Sequence, residues 1–74
     1  MKRMVTYAEV IIRAQIDGIV QLNVWENGNI EVHTKNVFCK VSKLESIRGQ
    51  VNATDVEIGT RHDNEGGLVY TFID

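Results

Sequence analysis

The run VIIRAQIDGIVQLNVWENGNIEV, residues 10–32, decides the fold, because its apolar residues alternate. Val10, Ile12 and Ala14 form one series, Val20, Leu22 and Val24 a second, and Ile30 and Val32 a third. A period of two is the signature of half-buried strands. Two short breaks separate the series, Ile16-Asp17-Gly18 and Glu26-Asn27-Gly28, and each ends in glycine. A three-residue hairpin loop takes this form when its last residue is left-handed. A two-residue Asn-Gly turn would set Val24 opposite Glu31 and mix the faces. The three-residue loop sets Val24 opposite Ile30, Leu22 opposite Val32 and Val20 opposite Thr34. The same logic sets Ala14 opposite Val20, Ile12 opposite Leu22 and Val10 opposite Val24. A one-residue slip would turn every one of these residues to the other face. The expectation is a three-stranded meander with one apolar face. Trp25 then pairs with Asn29 on the opposite face, beside Glu9, Asn23, Glu31 and Ile11.

The C-terminal part repeats the pattern. Val56, Ile58, Thr60 and His62 alternate, Asp63-Asn64-Glu65-Gly66-Gly67 turns the chain, and Leu68, Tyr70 and Phe72 follow. A loop at residues 64–66 sets Ile58 opposite Phe72 and Thr60 opposite Tyr70. The middle reads two ways. Val37, Cys39 and Val41 alternate as a strand. Ser42-Lys43-Leu44-Glu45 then fits a capping box with Gly49 as a helix stop, and a further strand is an equal reading. The pattern predicts an all-β domain over residues 1–74, a small antiparallel sheet or sandwich of five to seven strands, with at most one short helix near 43–48. Its expected core is Val10, Ile12, Ala14, Val20, Leu22, Val24, Ile30, Val32, Val56, Ile58, Leu68, Tyr70 and Phe72.

Seventy-four residues make one small domain, which buries only about 60% of its unfolded surface. One cysteine forms no internal disulfide. No apolar run approaches the roughly 18 residues of a membrane span, and Met1-Lys2-Arg3-Met4 does not read as a signal peptide. The expectation is a cytoplasmic protein that gains stability by self-association. Net charge is −2, unevenly placed. Lys35, Lys40, Lys43 and Arg48 against Glu45 give residues 35–48 a charge of +3, and residues 49–74 carry −4. A basic segment beside an acidic one suits nucleic acid on one side, or a neighbouring copy.

No residue pattern carries a reaction. His33, Cys39 and His62 could ligate a metal, but their spacing matches no zinc pattern. Arg61-His62-Asp63 could suggest acid–base work, yet adjacent strand residues point to opposite faces, and hairpin-end polar residues explain the triplet more simply. There is no glycine-rich phosphate loop and no serine elbow. The expectation is a protein that is not an enzyme and holds neither cofactor nor metal. For single-stranded RNA the candidate contacts are Lys35, Lys40, Lys43 and Arg48, with Phe38 the one aromatic among them.

EVIIRAQIDGIVQLNV, residues 9–24, resembles the opening of the tryptophan RNA-binding attenuation proteins. Val10, Ile11, Ile12, Arg13, Ala14, Asp17, Gly18 and Ile19 carry the likeness, and EVHT places His33 where that family has a histidine-bearing strand. The resemblance implies an all-β subunit that joins its neighbours edge to edge in a closed ring. It implies free tryptophan held between subunits, in loops at about residues 26–30 and 49–54. The ligand contacts would be Trp25, Glu26, Asn27, Asn29 and His33, and RNA would wrap the rim on basic residues. In this chain the late strand carries Glu57 and Gly59 where that family offers basic residues.

A second reading is a phage- or mobile-element-type inhibitor or adaptor that binds a host protein. A third is a structural or assembly subunit. Mass in solution separates a ring from a monomeric or dimeric adaptor. Trp25 and Ile11, large apolar residues on the outer face of the expected meander, are the candidate interface in either case.

Overall fold

The computed structural model describes residues 6–35, 39–60 and 67–74. Among them the order is α1 (Tyr7–Gln15), β1 (Ile19–Val24), β2 (Ile30–Thr34), α2 (Val41–Gln50), β3 (Asp55–Thr60) and β4 (Leu68–Ile73). The four strands make one antiparallel sheet in the order β1-β2-β4-β3. The architecture is mixed α/β, not all-β with five to seven strands.

The largest correction falls on residues 7–15, where the expected first strand is α1. Val10-Ile11-Ile12 is continuously apolar, so it supports a helical period as readily as alternation. The helical stripe is Ala8, Ile11, Ile12 and Ile16. Ile12 and Ile16 are buried, and Ala8 and Ile11 pack partly against the same core. The cap decides between the two periods. Thr6 Oγ1 accepts the Glu9 N–H at 3.1 Å, and Glu9 Oε2 accepts the Thr6 N–H at 2.8 Å. This reciprocal pair satisfies two backbone donors at the helix start. Val10 and Ala14 therefore face solvent, Val10 half-exposed. Ile16-Asp17-Gly18 is the exit of a helix rather than a hairpin, with Gly18 at φ 73°.

The β1–β2 hairpin follows the expected register. Val24 pairs with Ile30, Leu22 with Val32 and Asn23 with Glu31. The loop is Glu26-Asn27-Gly28, and Gly28 is left-handed at φ 92°. Val20 departs from expectation. A bulge between Ile19 and Gln21 sets Ile19, not Val20, opposite Thr34 and leaves Val20 exposed.

Residues 43–48 lie within a helix of ten residues, and the sixth-strand alternative does not form. Ser42 does not cap it. Lys40 is the N-cap and makes no side-chain cap bond. Gly49 is inside α2 rather than its stop. The stop is Asn52 at φ 59°, with Ala53 N–H on Arg48 O and Asn52 N–H on Gly49 O. That pair of bonds is a Schellman closure, with asparagine in the left-handed position. The expected strand through Val37, Cys39 and Val41 does not form in its described part, since Cys39 and Lys40 lie outside any strand and Val41 opens α2. Val37 itself and residues 63–66 of the expected turn lie outside the described residues.

β3 and β4 pair two residues away from the expected register, with Ile58 opposite Tyr70 and Thr60 opposite Leu68. A shift of two keeps the faces. One face packs against both helices, so Leu22, Ile30, Val32, Tyr70 and Phe72 join Ile12, Ile16, Leu44, Ile47 and Ala53 in the core. Val24, Val56 and Leu68 pack partly against it, whereas Ile58 is 51% exposed because it sits on the outermost strand. Neither helix covers the other face of the sheet.

Candidate functional site

The uncovered sheet face is built by the residues that alternate with the core. From the strand register its rows read Gln21–His33–Val69–Gly59 and Asn23–Glu31–Thr71–Glu57. On β1 and β2 the face is a polar network. Gln21 Nε2 donates to Asn23 Oδ1 at 3.0 Å, and Asn23 Nδ2 donates to Glu31 Oε1 at 3.2 Å. His33 Nε2 is paired with the same Glu31 oxygen. The His33 hydrogen bond holds the Glu31 carboxyl below its ordinary pKa, partial burial works against this, and the Asn23 bond and the His33 charge add to it. Across β4 the face turns partly apolar with Val69 and Ile73, both half-buried.

Trp25 stands at one corner of this surface. It is 53% exposed, and alternation from Asn23 continues the open face to it. Its backbone is tied on both sides, by Trp25 N–H to Asn29 O at 2.8 Å and Gly28 N–H to Trp25 O at 2.9 Å. Asn27 Oδ1 accepts the Asn29 N–H at 3.0 Å, and Asn29 Oδ1 accepts the Asp74 N–H at 2.9 Å. The two asparagines thus build the turn that presents Trp25, and Glu26 is exposed on its tip. His33 is four residues along β2 from Asn29, about 13 Å at strand rise, so Trp25, Glu26, Asn27, Asn29 and His33 do not converge on one ligand. Ile11, expected beside Trp25, is half-buried on α1 against the core, as follows from that segment being helical. Glu9 leaves the face for the same reason.

The four basic residues divide. Lys35, Lys40 and Lys43 are exposed around the end of β2 and the start of α2. Arg48 is at the far end of α2, about 12 Å from Lys40 along the axis at 1.5 Å per residue. Its side chain is engaged there, with Nε on Glu45 Oε2 at 2.8 Å and Nη1 on Ala53 O at 3.2 Å. Cys39 is half-buried, and burial pushes its thiol up while Lys43 draws it down by a smaller amount. A raised thiol is a weak nucleophile. Phe38, His62 and the Arg61-His62-Asp63 triplet lie outside the described residues.

The two loops that the resemblance pairs between neighbouring subunits meet within one chain. They border a cleft of about 170 Å³ at the end of the two-layer core, where Val24, Gly28 and Ile30 face Val51 and Ala53. Small-molecule sites run to roughly 300–1,000 Å³. The cleft is smaller and mainly apolar, with Asp74 the one ionisable residue among the described residues of its lining. Among the described residues no three His, Cys, Asp or Glu side chains gather as a metal site, and no helix is long and apolar enough to cross a membrane.

Sequence alternation had placed Trp25, Asn23 and Glu31 on one face. The hydrogen bonds that join Gln21 and His33 to Asn23 and Glu31 are not evident from alternation alone, though their even spacing on β1 and β2 carries the signal. Comparison of the chain with protein-family models, with curated proteins and with solved structures found no match.

Proposed function

We propose that this chain is a non-enzymatic, cytoplasmic binding module of the inhibitor or adaptor kind, which takes a protein partner on its open sheet face with Trp25 as the anchor. The observation that carries the reading is the half-exposed tryptophan on a tied turn, next to a sheet face that neither helix covers. A large aromatic held in one backbone conformation loses little entropy on binding, and tryptophan is enriched among the residues that dominate interface energies. The Gln21–Asn23–Glu31–His33 network offers a polar rim beside it, and Val69 and Ile73 an apolar strip.

The reading is tested by parallel capture from a host lysate with the wild-type protein and Trp25→Ala. The captured protein is then purified and titrated against both. An anchor tryptophan costs 2 kcal/mol or more on truncation, an affinity loss of about 30-fold. Equal affinity of the two proteins would overturn the proposal.

A second reading, single-stranded RNA, is favoured by Lys35, Lys40 and Lys43 lying exposed around one connection. Phosphate contacts there would weaken steeply with salt. Affinity for an oligonucleotide that is unchanged after all three are neutralised removes this reading.

A further inference from the structure

We propose that two copies of this chain join along β3, pairing antiparallel about Ile58 to continue the sheet from four strands to eight. This rests on the sheet's edge and is independent of the partner reading above.

Among the described residues the sheet has two edge strands, β1 and β3. β1 is interrupted by the bulge at Val20, a device that bends an edge away from pairing. β3 is regular over all six residues, Asp55 to Thr60, and contains neither proline nor lysine. The direction of its free backbone groups follows from the ladder. Trp25 donates to Asn29, so odd-numbered residues of β1 and β2 bond each other and even-numbered residues of β2 face β4. The alternation carried across β4 sets Asp55, Glu57 and Gly59 against β4 and turns Val56, Ile58 and Thr60 outward. Val56 agrees in direction, since its N–H points away from β4 to Asp55 Oδ1 at 2.8 Å, a bond that pairing with a second copy would replace.

The side chains then choose the register. A second copy that continues the sheet with its faces matched must pair residues of equal parity. Pairing about Glu57 would set two glutamates directly opposite, which is unfavourable. Pairing about Ile58 sets Glu57 opposite Gly59 of the other copy, Val56 opposite Thr60, and Ile58 opposite itself. That arrangement covers the 51% of Ile58 that the single chain leaves exposed. It also accounts for Gly59. Among the described residues a Cβ there would meet nothing nearer than Val69 O at 4.0 Å, and no positive φ demands glycine. Glycine weakens a strand interior, and it marks places where another backbone comes close. The seam is opposite to β1, so the dimer carries its two Trp25 corners at its outer ends.

The test is made in a Cys39→Ser background, with Ile58→Cys or Glu57→Cys added, under mild oxidation. In the proposed register the Ile58 α-carbons are about 5.5 Å apart, inside the range a disulfide spans. The two Glu57 α-carbons are diagonal, about 7–8 Å apart, and beyond it. The expected result is a covalent dimer with Ile58→Cys and none with Glu57→Cys. The wild type should sediment as a dimer, and Ile58→Lys, a change at a half-exposed site, as a folded monomer by circular dichroism. A wild type that stays monomeric up to millimolar concentration overturns the proposal, and so does cross-linking through Glu57→Cys.

Discussion

Thr6 and Glu9 cap each other at the head of α1, hydroxyl to amide at 3.1 Å and amide to carboxylate at 2.8 Å. The pair selects the helix for a segment whose β-branched residues favour a strand, and Glu9 is buried in doing so. Thr6→Ala removes the acceptor for the Glu9 N–H. The expected loss is about 1 kcal/mol, the usual worth of an N-cap hydroxyl, and Thr6→Ser should restore most of it. The check is the urea midpoint, with an unchanged slope.

That cap explains how the sequence misled. Thr6-Tyr7-Ala8-Glu9 has the same form as Ser42-Lys43-Leu44-Glu45, yet only the first closes. α2 begins earlier, at Val41, so Ser42 lies inside the helix and cannot cap it. Where one face is apolar and the loop is short, the register was legible, as in the pairing of Leu22 with Val32 and Val24 with Ile30. Where the connection is longer, between Thr60 and Leu68, the faces were legible and the register was not, because a shift of two leaves the alternation intact. The exposed position of Trp25 followed from the hairpin. The place of Ile11 did not, since the segment's apolar run fits both periods. The edge position of β3 depends on the order β1-β2-β4-β3, which alternation within single strands does not encode.

Tyr70 should be sensitive at its hydroxyl alone. The ring is buried, and its oxygen accepts the Cys39 N–H at 3.0 Å, tying β4 to the segment that leads into α2. Tyr70→Phe keeps the ring and orphans that amide. An unpaired buried amide costs about 1–3 kcal/mol, and the lower end is expected because Cys39 is only half-buried. Thermal unfolding measures the loss. Faster alkylation of the Cys39 thiol would show that the opening is local.

Gly28 should resist replacement. Its φ of 92° is costly for any residue with a side chain, and an added Cβ would lie 2.6 Å from Asp74 Oδ2. The carboxylate can swing away, so the backbone conformation carries most of the cost. Gly28→Ala should destabilise by more than about 1 kcal/mol, as alanine does where φ is positive. Denaturant unfolding checks this. A stabilised variant would mean that the turn differs in solution.

Acid should loosen the open face through Glu31. Its carboxyl is held below the ordinary glutamate range, first by the His33 hydrogen bond. A carboxylate with a depressed folded pKa adds stability that is present above its unfolded pKa. That stability is lost as pH falls through the folded pKa. The stability curve should therefore decline on the acid side, through and below the ordinary glutamate range. Glu31→Gln, which does not titrate, should have a flatter acid limb. Unfolding midpoints taken from neutral pH downward compare the two, and identical limbs would remove Glu31 as the source.

Trp25 supplies its own reporter, because it is the chain's only tryptophan. In the free protein it is 53% exposed, so a soluble quencher should reach it readily. Trp25→Ala should leave stability within about 0.5 kcal/mol, as surface substitutions do, because the turn is held by backbone and asparagine bonds that alanine retains. Quenching then separates the two proposed contacts. Dimerisation along β3 occurs at the opposite edge of the sheet and should leave the accessibility of Trp25 unchanged as concentration rises. A bound protein partner should protect it. Protection that grows with concentration in the pure protein would move the self-contact to the Trp25 corner. Free quenching in a saturated partner complex would remove the tryptophan from the binding surface.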